Sequence, residues 1–322
     1  LEVLYLCRQN LRAAAQQPDP GFGQPLCWDQ PLLEGYASSF LTEGGLPAID
    51  GMQGLRLLPA VLRRVQRSRP DAVLFRDLGL RWIYRRSALV FPISSHGRRH
   101  LEVRGVPPER ICLASYAPDT TWLEDQRRHW QPQAADQRQR IGIPQQAPVL
   151  LYAGRLAAEK DVLLIAEALA RLPLAERRAL HLLSAGSGPL EPEWNRRLSA
   201  LLGDHFHPLG FLNQGEIGRA YAMADALVLP SRHSETWGLV VHEALAFGCQ
   251  AMLSHRVGCA QDLLALGQPI RCFPAGHAAG LAAVLQQWLA DPHAVPAQPC
   301  ADLPDVLDFP KALLAALQAR PL

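Results

Sequence analysis

With 322 residues and 48% hydrophobic content, the chain is long enough to bury two cores, and its longest apolar runs are broken by Arg, Pro or Gly well short of a membrane span. The net charge of +2 is unevenly spread: residues 1–146 carry 19 arginines against 14 acids, and residues 147–322 carry 13 cations against 16 acids. Seven cysteines at 7, 27, 112, 249, 259, 272 and 300 show no Cys-x-x-Cys spacing, which argues against a disulfide framework or zinc site and reads as reduced thiols of a cytoplasmic protein.

The chain opens on Leu1, and the run Val3-Leu4-Tyr5-Leu6-Cys7 reads as a strand buried on both faces, so no signal peptide is legible, and the start reads either as trimmed or as that of a fragment. Apolar Leu55, Leu58, Leu62 and Val65 recur at helical spacing opposite Arg56, Arg63, Arg64 and Arg67. A solvated helix face is the favoured reading of this stretch; peripheral contact with an anionic membrane, on its inner face, is the alternative. Nucleic acid is not an expected partner, because no aromatic-interleaved basic motif accompanies the charge. Ala72–Phe75 and Ala88–Ile93 read as further strands. The polar, proline-punctuated stretch 131–147 reads as a linker, dividing an upstream domain (1–146) from a second domain (147–300), with a helical tail over 301–322.

From Val149 onward, short apolar runs alternate with helical patterns, which predicts a parallel sheet covered by helices. Val149–Tyr152 is a strand, followed by a loop with Gly154 and a helix carrying Val162, Ile165, Ala166 and Leu169, with Asp161 placed to start it. Leu180–Leu183, the turn Gly186-Ser187-Gly188-Pro189 and a helix through Leu202 form the next unit. A helix near Glu216–Ala224, a strand Ala226–Leu229, a helix Gly238–Phe247, a strand Ala251–Leu253 and a helix near Ala278–Leu289 follow.

Two segments carry chemistry. In Ser231-Arg232-His233-Ser234-Glu235-Thr236-Trp237-Gly238-Leu239-Val240-Val241-His242-Glu243, Glu235 lies in a loop after a strand, and Glu243 lies two turns into an otherwise apolar helix. A carboxylate there is costly unless its lone pairs are satisfied, and the vicinal hydroxyls of a ribose would satisfy them together. The backbone N–H groups of Thr236, Trp237, Gly238 and Leu239 stand at a helix N-terminus suited to a phosphate. In Gly154-Arg155-Leu156-Ala157-Ala158-Glu159-Lys160, Arg155 and Lys160 bracket a tight loop and suit a diphosphate, supplying charge that a metal supplies elsewhere. Read singly, the first segment is equally an exposed, capped helix start, and the Arg155–Lys160 pair is more often a solvated loop. His205 and His207 lack further ligands nearby in sequence, and no Asp-x-Asp motif is present, so no metal is expected.

Together these segments resemble retaining glycosyltransferases of the GT-B fold, glycosyltransferase family 4, whose donor domain carries a Gly-Arg-…-Lys loop and two glutamates separated by seven residues. The resemblance also covers Gly186–Pro189 and the run from Gly210 to Ser231 and, more weakly, Asp19–Gly23, Trp28–Tyr36, Gly105–Pro107 and Ala117–Asp119. It implies two Rossmann-like domains facing a cleft, the upstream one incomplete, because the family's first strand and glycine loop would precede Leu1 and the stretch between Asp77 and Arg85 is short. It implies that Arg155 and Lys160 bind the donor diphosphate, Glu243 the ribose and Glu235 the transferred sugar, with Gly154 in the cationic loop. Glu235, Arg155 and Lys160 would then carry catalysis without a cofactor, the acceptor being a glycan or lipid-linked saccharide. A sugar-nucleotide epimerase of the same fold, or a truncated donor-binding fragment, are the alternatives. His96 reads as part of an ordinary polar loop.

Overall fold

The computed structural model describes residues 2–5, 37–40, 84, 87–232, 235–293 and 303–318. Strand β1 (Glu2–Tyr5) pairs in parallel with β2 (Ala37–Phe40). The expected helix over 55–69, the strand Ala72–Phe75 and the weaker motifs at Asp19–Gly23 and Trp28–Tyr36 lie outside the described residues.

The expected strand Ala88–Ile93 shortens to one parallel bridge between Val90 and Ile111. Pro92 has no N–H to extend the ladder, and only its carbonyl takes part, accepting from Ala114 N at 3.0 Å. Helix α1 (Ser95–Val103) begins where Ser94 Oγ accepts from Gly97 N at 3.1 Å. Its first turn is also capped from afar: both carboxylate oxygens of Asp262 accept from Ser95 N at 3.1 Å.

The stretch read as a linker is folded. Helix α2 (Thr120–Trp130) passes through a 3-10 turn, Gln131–Gln133, into α3 (Ala134–Arg140). Polar composition concealed this, because α3 docks through a cation instead of an apolar stripe. Arg138, 8% exposed, donates to Met223 O at 2.8 Å, Gln145 O at 3.0 Å and Asp225 Oδ1 at 3.0 Å. Asp225 in turn accepts from Val149 N at 2.8 Å, so the buried charge is fully partnered.

Beyond it the chain alternates strand and helix: β3 (Val149–Ala153), α4 (Leu163–Leu169), α5 (Leu174–Ala179), β4 (His181–Ala185), α6 (Glu191–Leu202), β5 (Phe206–Gly210), α7 (Gln214–Met223), β6 (Ala226–Leu229), α8 (Leu239–Ala246), β7 (Gln250–Ser254), α9 (Ala260–Ala265), β8 (Ile270–Phe273) and α10 (Ala278–Ala290). All six strands from β3 to β8 are parallel, in the order β5-β4-β3-β6-β7-β8. The four inner strands are buried at every position, as a sheet covered on both faces requires. The edge strands β5 and β8 are only partly buried, and Pro208 is tolerated in β5 because the strand is an edge. Strand order reverses between β3 and β6, opening a crevice at their C-terminal ends, the usual ligand position in such sheets.

The last described helix, α11 (Asp308–Gln318), returns to the upstream segment. Leu313 joins Leu89, Phe91 and Ala114 in a small core, with Phe309 against it. Just before it, Asp305 caps α2 through Thr120 N at 3.1 Å and Thr120 Oγ1 at 2.5 Å.

At the N-terminal end of the sheet three histidines meet. His181 Nδ1 and His207 Nε2 are 2.9 Å apart, and the His205 ring stacks on His181 at 4.1 Å. Burial, helped by the two neighbouring rings, lowers the His181 pKa to about 4; burial also lowers that of His207, and His242 on α8 falls to about 4 by burial as well. These rings stay neutral in the fold while the unfolded chain takes up protons below about pH 6.5, so stability is complete above that pH and is lost as pH falls toward 4. The expected loss is on the order of 2 kcal/mol for each of the two buried rings, His181 and His242. Urea midpoints at pH 7.5 and 5 measure it; equal midpoints would contradict this account.

Candidate active site

The loop after β3 is shaped by backbone contacts with its neighbour. Gly154 N donates to Ala185 O and Leu156 N to Ser187 O, each at 2.9 Å, while Leu156 O accepts from Leu190 N at 2.9 Å. The turn after β4 lies so close that a Cβ on Gly186 would fall 1.9 Å from Gly154 O and one on Gly188 2.5 Å from Leu156 O. These glycines permit close approach of two backbones. Tyr152, fully buried, donates its hydroxyl to Arg155 O at 2.8 Å. Its phenol is pushed well above the usual tyrosine range by burial first, then by the charges of Glu235 and Glu159.

So braced, the loop turns outward through a 3-10 turn, Ala158–Lys160. Asp161 follows at φ 52°, a left-handed conformation rare outside glycine. The expectation that Asp161 starts the next helix is corrected in part: its carbonyl accepts from Leu164 N at 3.0 Å, but its carboxylate turns to Arg232, 3.1 Å from Nε.

The loop after β6 is anchored from the other side. Trp237 is buried in the core, so what it presents outward is backbone. Glu235 O accepts from Gly258 N at 3.0 Å and Trp237 O from Cys259 N at 2.9 Å. Gly258 admits this contact because a Cβ there would meet Thr236 O at 2.0 Å. Gly238, at φ 97°, then leads into α8, leaving Thr236 to Leu239 at the helix N-terminus as the sequence indicated. His233 and Ser234 lie outside the described residues.

These two loops meet over the crevice. Lys160 Nζ contacts Glu235 Oε2, and Ser231 Oγ donates to the same oxygen at 3.0 Å. Arg155 turns back to Glu159, four residues on in its own loop. Glu243, half-buried on α8, accepts from Tyr221 Oη at 2.6 Å. Burial raises its pKa, an effect that the Tyr221 bond opposes. The structure therefore joins Lys160 to Glu235, places Arg155 in the same loop, and sets Glu243 on the helix that Glu235's loop begins. His96 is exposed on α1, away from these contacts.

Sequence reasoning missed Glu159, Tyr221, Ser231 and Arg232. Tyr221 carried a faint signal as the one aromatic residue in the run Gly218-Arg219-Ala220-Tyr221-Ala222-Met223. The others are ordinary loop residues until the fold supplies their partners.

Residues 133–300 match the family model "Glycosyl transferases group 1". The chain belongs to that family. Among curated relatives, it is 27% identical over 210 residues to alpha-D-kanosaminyltransferase of Streptomyces kanamyceticus, covering 65% of this chain and 53% of the relative. It is 32% identical over 171 residues to D-inositol 3-phosphate glycosyltransferase of Thermomonospora curvata, covering 50% and 39% respectively. The chain thus spans about half the length of the curated relatives it matches. HepE of Anabaena, solved with UDP and glucose, superimposes with a TM-score of 0.65 at 17% identity, over 88% of this chain and 87% of that one. WaaG, a glycosyltransferase involved in lipopolysaccharide biosynthesis, gives a TM-score of 0.63 at 17% identity, over 90% and 88%. The group 1 chain has the GT-B type of α/β fold. Among its described residues, no helix is long and apolar enough to cross a membrane; the basic stretch at Arg56–Arg67 lies outside them.

Proposed function

We propose that the chain is a retaining, metal-independent glycosyltransferase, residues 147–300 forming the domain that binds a nucleoside diphosphate sugar. The observation that carries this reading is the Lys160–Glu235 contact across the strand-order reversal. One loop brings cations and the other brings a carboxylate beside a helix N-terminus, a combination suited to a sugar pyrophosphate. In the bound state, Arg155 and Lys160 hold the diphosphate and stabilise the charge that develops as the glycosidic bond breaks. Glu235 exchanges Ser231 for the sugar's hydroxyls, and Glu243 receives the ribose while Tyr221 keeps one of its oxygens occupied. The acceptor then attacks from the face the diphosphate leaves, without a side-chain nucleophile. A glycan or lipid-linked saccharide is the acceptor class, and the cytoplasm is the compartment; peripheral contact at the inner membrane face is the second reading, resting on the basic stretch Arg56–Arg67.

The test is calorimetric titration with UDP-, GDP- and ADP-sugars. Glu243→Ala and Arg155→Ala are each expected to weaken donor binding at least about tenfold, the effect of losing one charge-assisted contact; unchanged affinity in both overturns the assignment. Incubating donor without acceptor separates transfer from epimerisation, since only an epimerase then yields an isomeric donor.

A further inference from the structure

The loop from Arg155 to Asp161 carries four charged side chains, and each is engaged without any ligand. Arg155 pairs with Glu159, Lys160 with Glu235 and Asp161 with Arg232. Arg232 also donates its backbone N–H to Glu159 O at 3.1 Å, which fixes where the Glu159 main chain sits. These six side chains sum to zero charge. A diphosphate entering the crevice therefore meets cations that are already neutralised, and must take at least one from its carboxylate.

The three acids are not equivalent. Glu235 lies across the crevice and is the group set to meet the sugar. Asp161 is paired with Arg232 at 3.1 Å. Glu159 stands on the 3-10 turn with its side chain a third exposed, as is that of Arg155. Glu159 stands in the loop that leaves the C-terminal end of β3, on the same short turn as Lys160 and paired with Arg155.

We propose that Glu159 sets the affinity for the donor and for the departing nucleoside diphosphate by competing with the diphosphate for the Arg155 guanidinium. This rests on the donor-site reading above and deepens it. Glu159 holds Arg155 beside the crevice in the empty protein, hands it to the phosphates on binding, and reclaims it as the product leaves. A partly exposed pair four residues apart in one loop is weak enough to exchange in this way. Its carboxylate weakens product binding and so favours turnover.

Titration of the full chain with UDP, GDP and ADP, carried forward with whichever binds most tightly, tests this in wild type, Glu159→Gln, Arg155→Ala and the double variant, each verified as folded by its thermal melt. Glu159→Gln is expected to tighten nucleotide binding about three- to tenfold. In the Arg155→Ala background the same change is expected to do little, because the competition has lost its object. Unchanged or weaker binding by Glu159→Gln overturns the proposal, as does an equal gain in both backgrounds, which would mark a general field effect. If Arg155→Ala binds like wild type, the competition has no object and this inference falls alone; if no nucleotide binds wild type, the donor-site reading falls and takes this inference with it.

Discussion

Lys160→Ala is expected to reduce kcat/KM for the donor by about 100-fold or more, the range for removing one fixed electrostatic partner of a developing charge. The expectation follows from where Lys160 sits. It projects from a turn fixed by backbone hydrogen bonds at Gly154 and Leu156, so it is held without the donor, and its ammonium already touches Glu235. Most of the loss should fall in kcat, because charge on the diphosphate grows as the sugar leaves. Release of nucleotide from UDP-, GDP- and ADP-sugars provides the assay. A thermal melt must accompany it, since among the described residues the variant leaves Glu235 with the Ser231 hydroxyl as its polar side-chain partner, at a cost of about 1–3 kcal/mol. Lys160→Arg, which retains charge with different reach, should recover part of the rate. Wild-type turnover by the alanine variant would remove Lys160 from the mechanism.

The second large effect is structural. Gly186→Ala is expected to destabilise the fold by more than about 3 kcal/mol, lowering the melting temperature by on the order of 10 °C, or to prevent soluble folding. The added methyl would lie 1.9 Å from Gly154 O and 2.9 Å from Gly154 C, at φ +148°. Both offending atoms are backbone, and both sides are pinned: Gly154 N donates to Ala185 O at 2.9 Å and Gly186 N to Gly210 O at 2.7 Å. Neither strand end can retreat without breaking a ladder bond. Gly267→Ala is the control, because its φ of +73° is strained while nothing lies within 4 Å of the new carbon; it should cost about 1 kcal/mol. Equal melts for Gly186→Ala and wild type would show that the two loops are not pressed together. Since Gly154 opens the cationic loop, a folded Gly186→Ala protein should also bind nucleotide less well.

How far the sequence revealed this arrangement depends on what kind of contact makes each element. Strand Ala226–Leu229 was legible to the residue, because an inner parallel strand must be apolar throughout and Asp225 and Pro230 bound it. Strand Phe206–Gly210 was invisible: at the sheet edge it needs neither continuous apolarity nor every N–H, and it contains His207 and Pro208. The helix Ala134–Arg140 read as linker because periodicity registers apolar residues, whereas the buried residue of this helix is Arg138, with Ala134 and the flanking Ile141 only partly buried against the core. At the site, the glycines, the cations and the spacing of Glu235 from Glu243 were readable as a pattern. Tyr221, Glu159 and Arg232 were not, since their significance lies in partners that are brought near only by folding.

The return of helix Asp308–Gln318 bears on how the protein is made. Leu89, Phe91 and Ala114 share their small core with Leu313, which the ribosome adds only after the entire six-stranded sheet. Segments made earlier in synthesis generally fold first, yet this patch must leave the exit tunnel with an unfilled apolar face and wait. The Asp305 carboxylate that caps Thr120 arrives equally late. The sheet can assemble while translation continues, but the upstream segment acquires its final packing only when the returning helix closes over it.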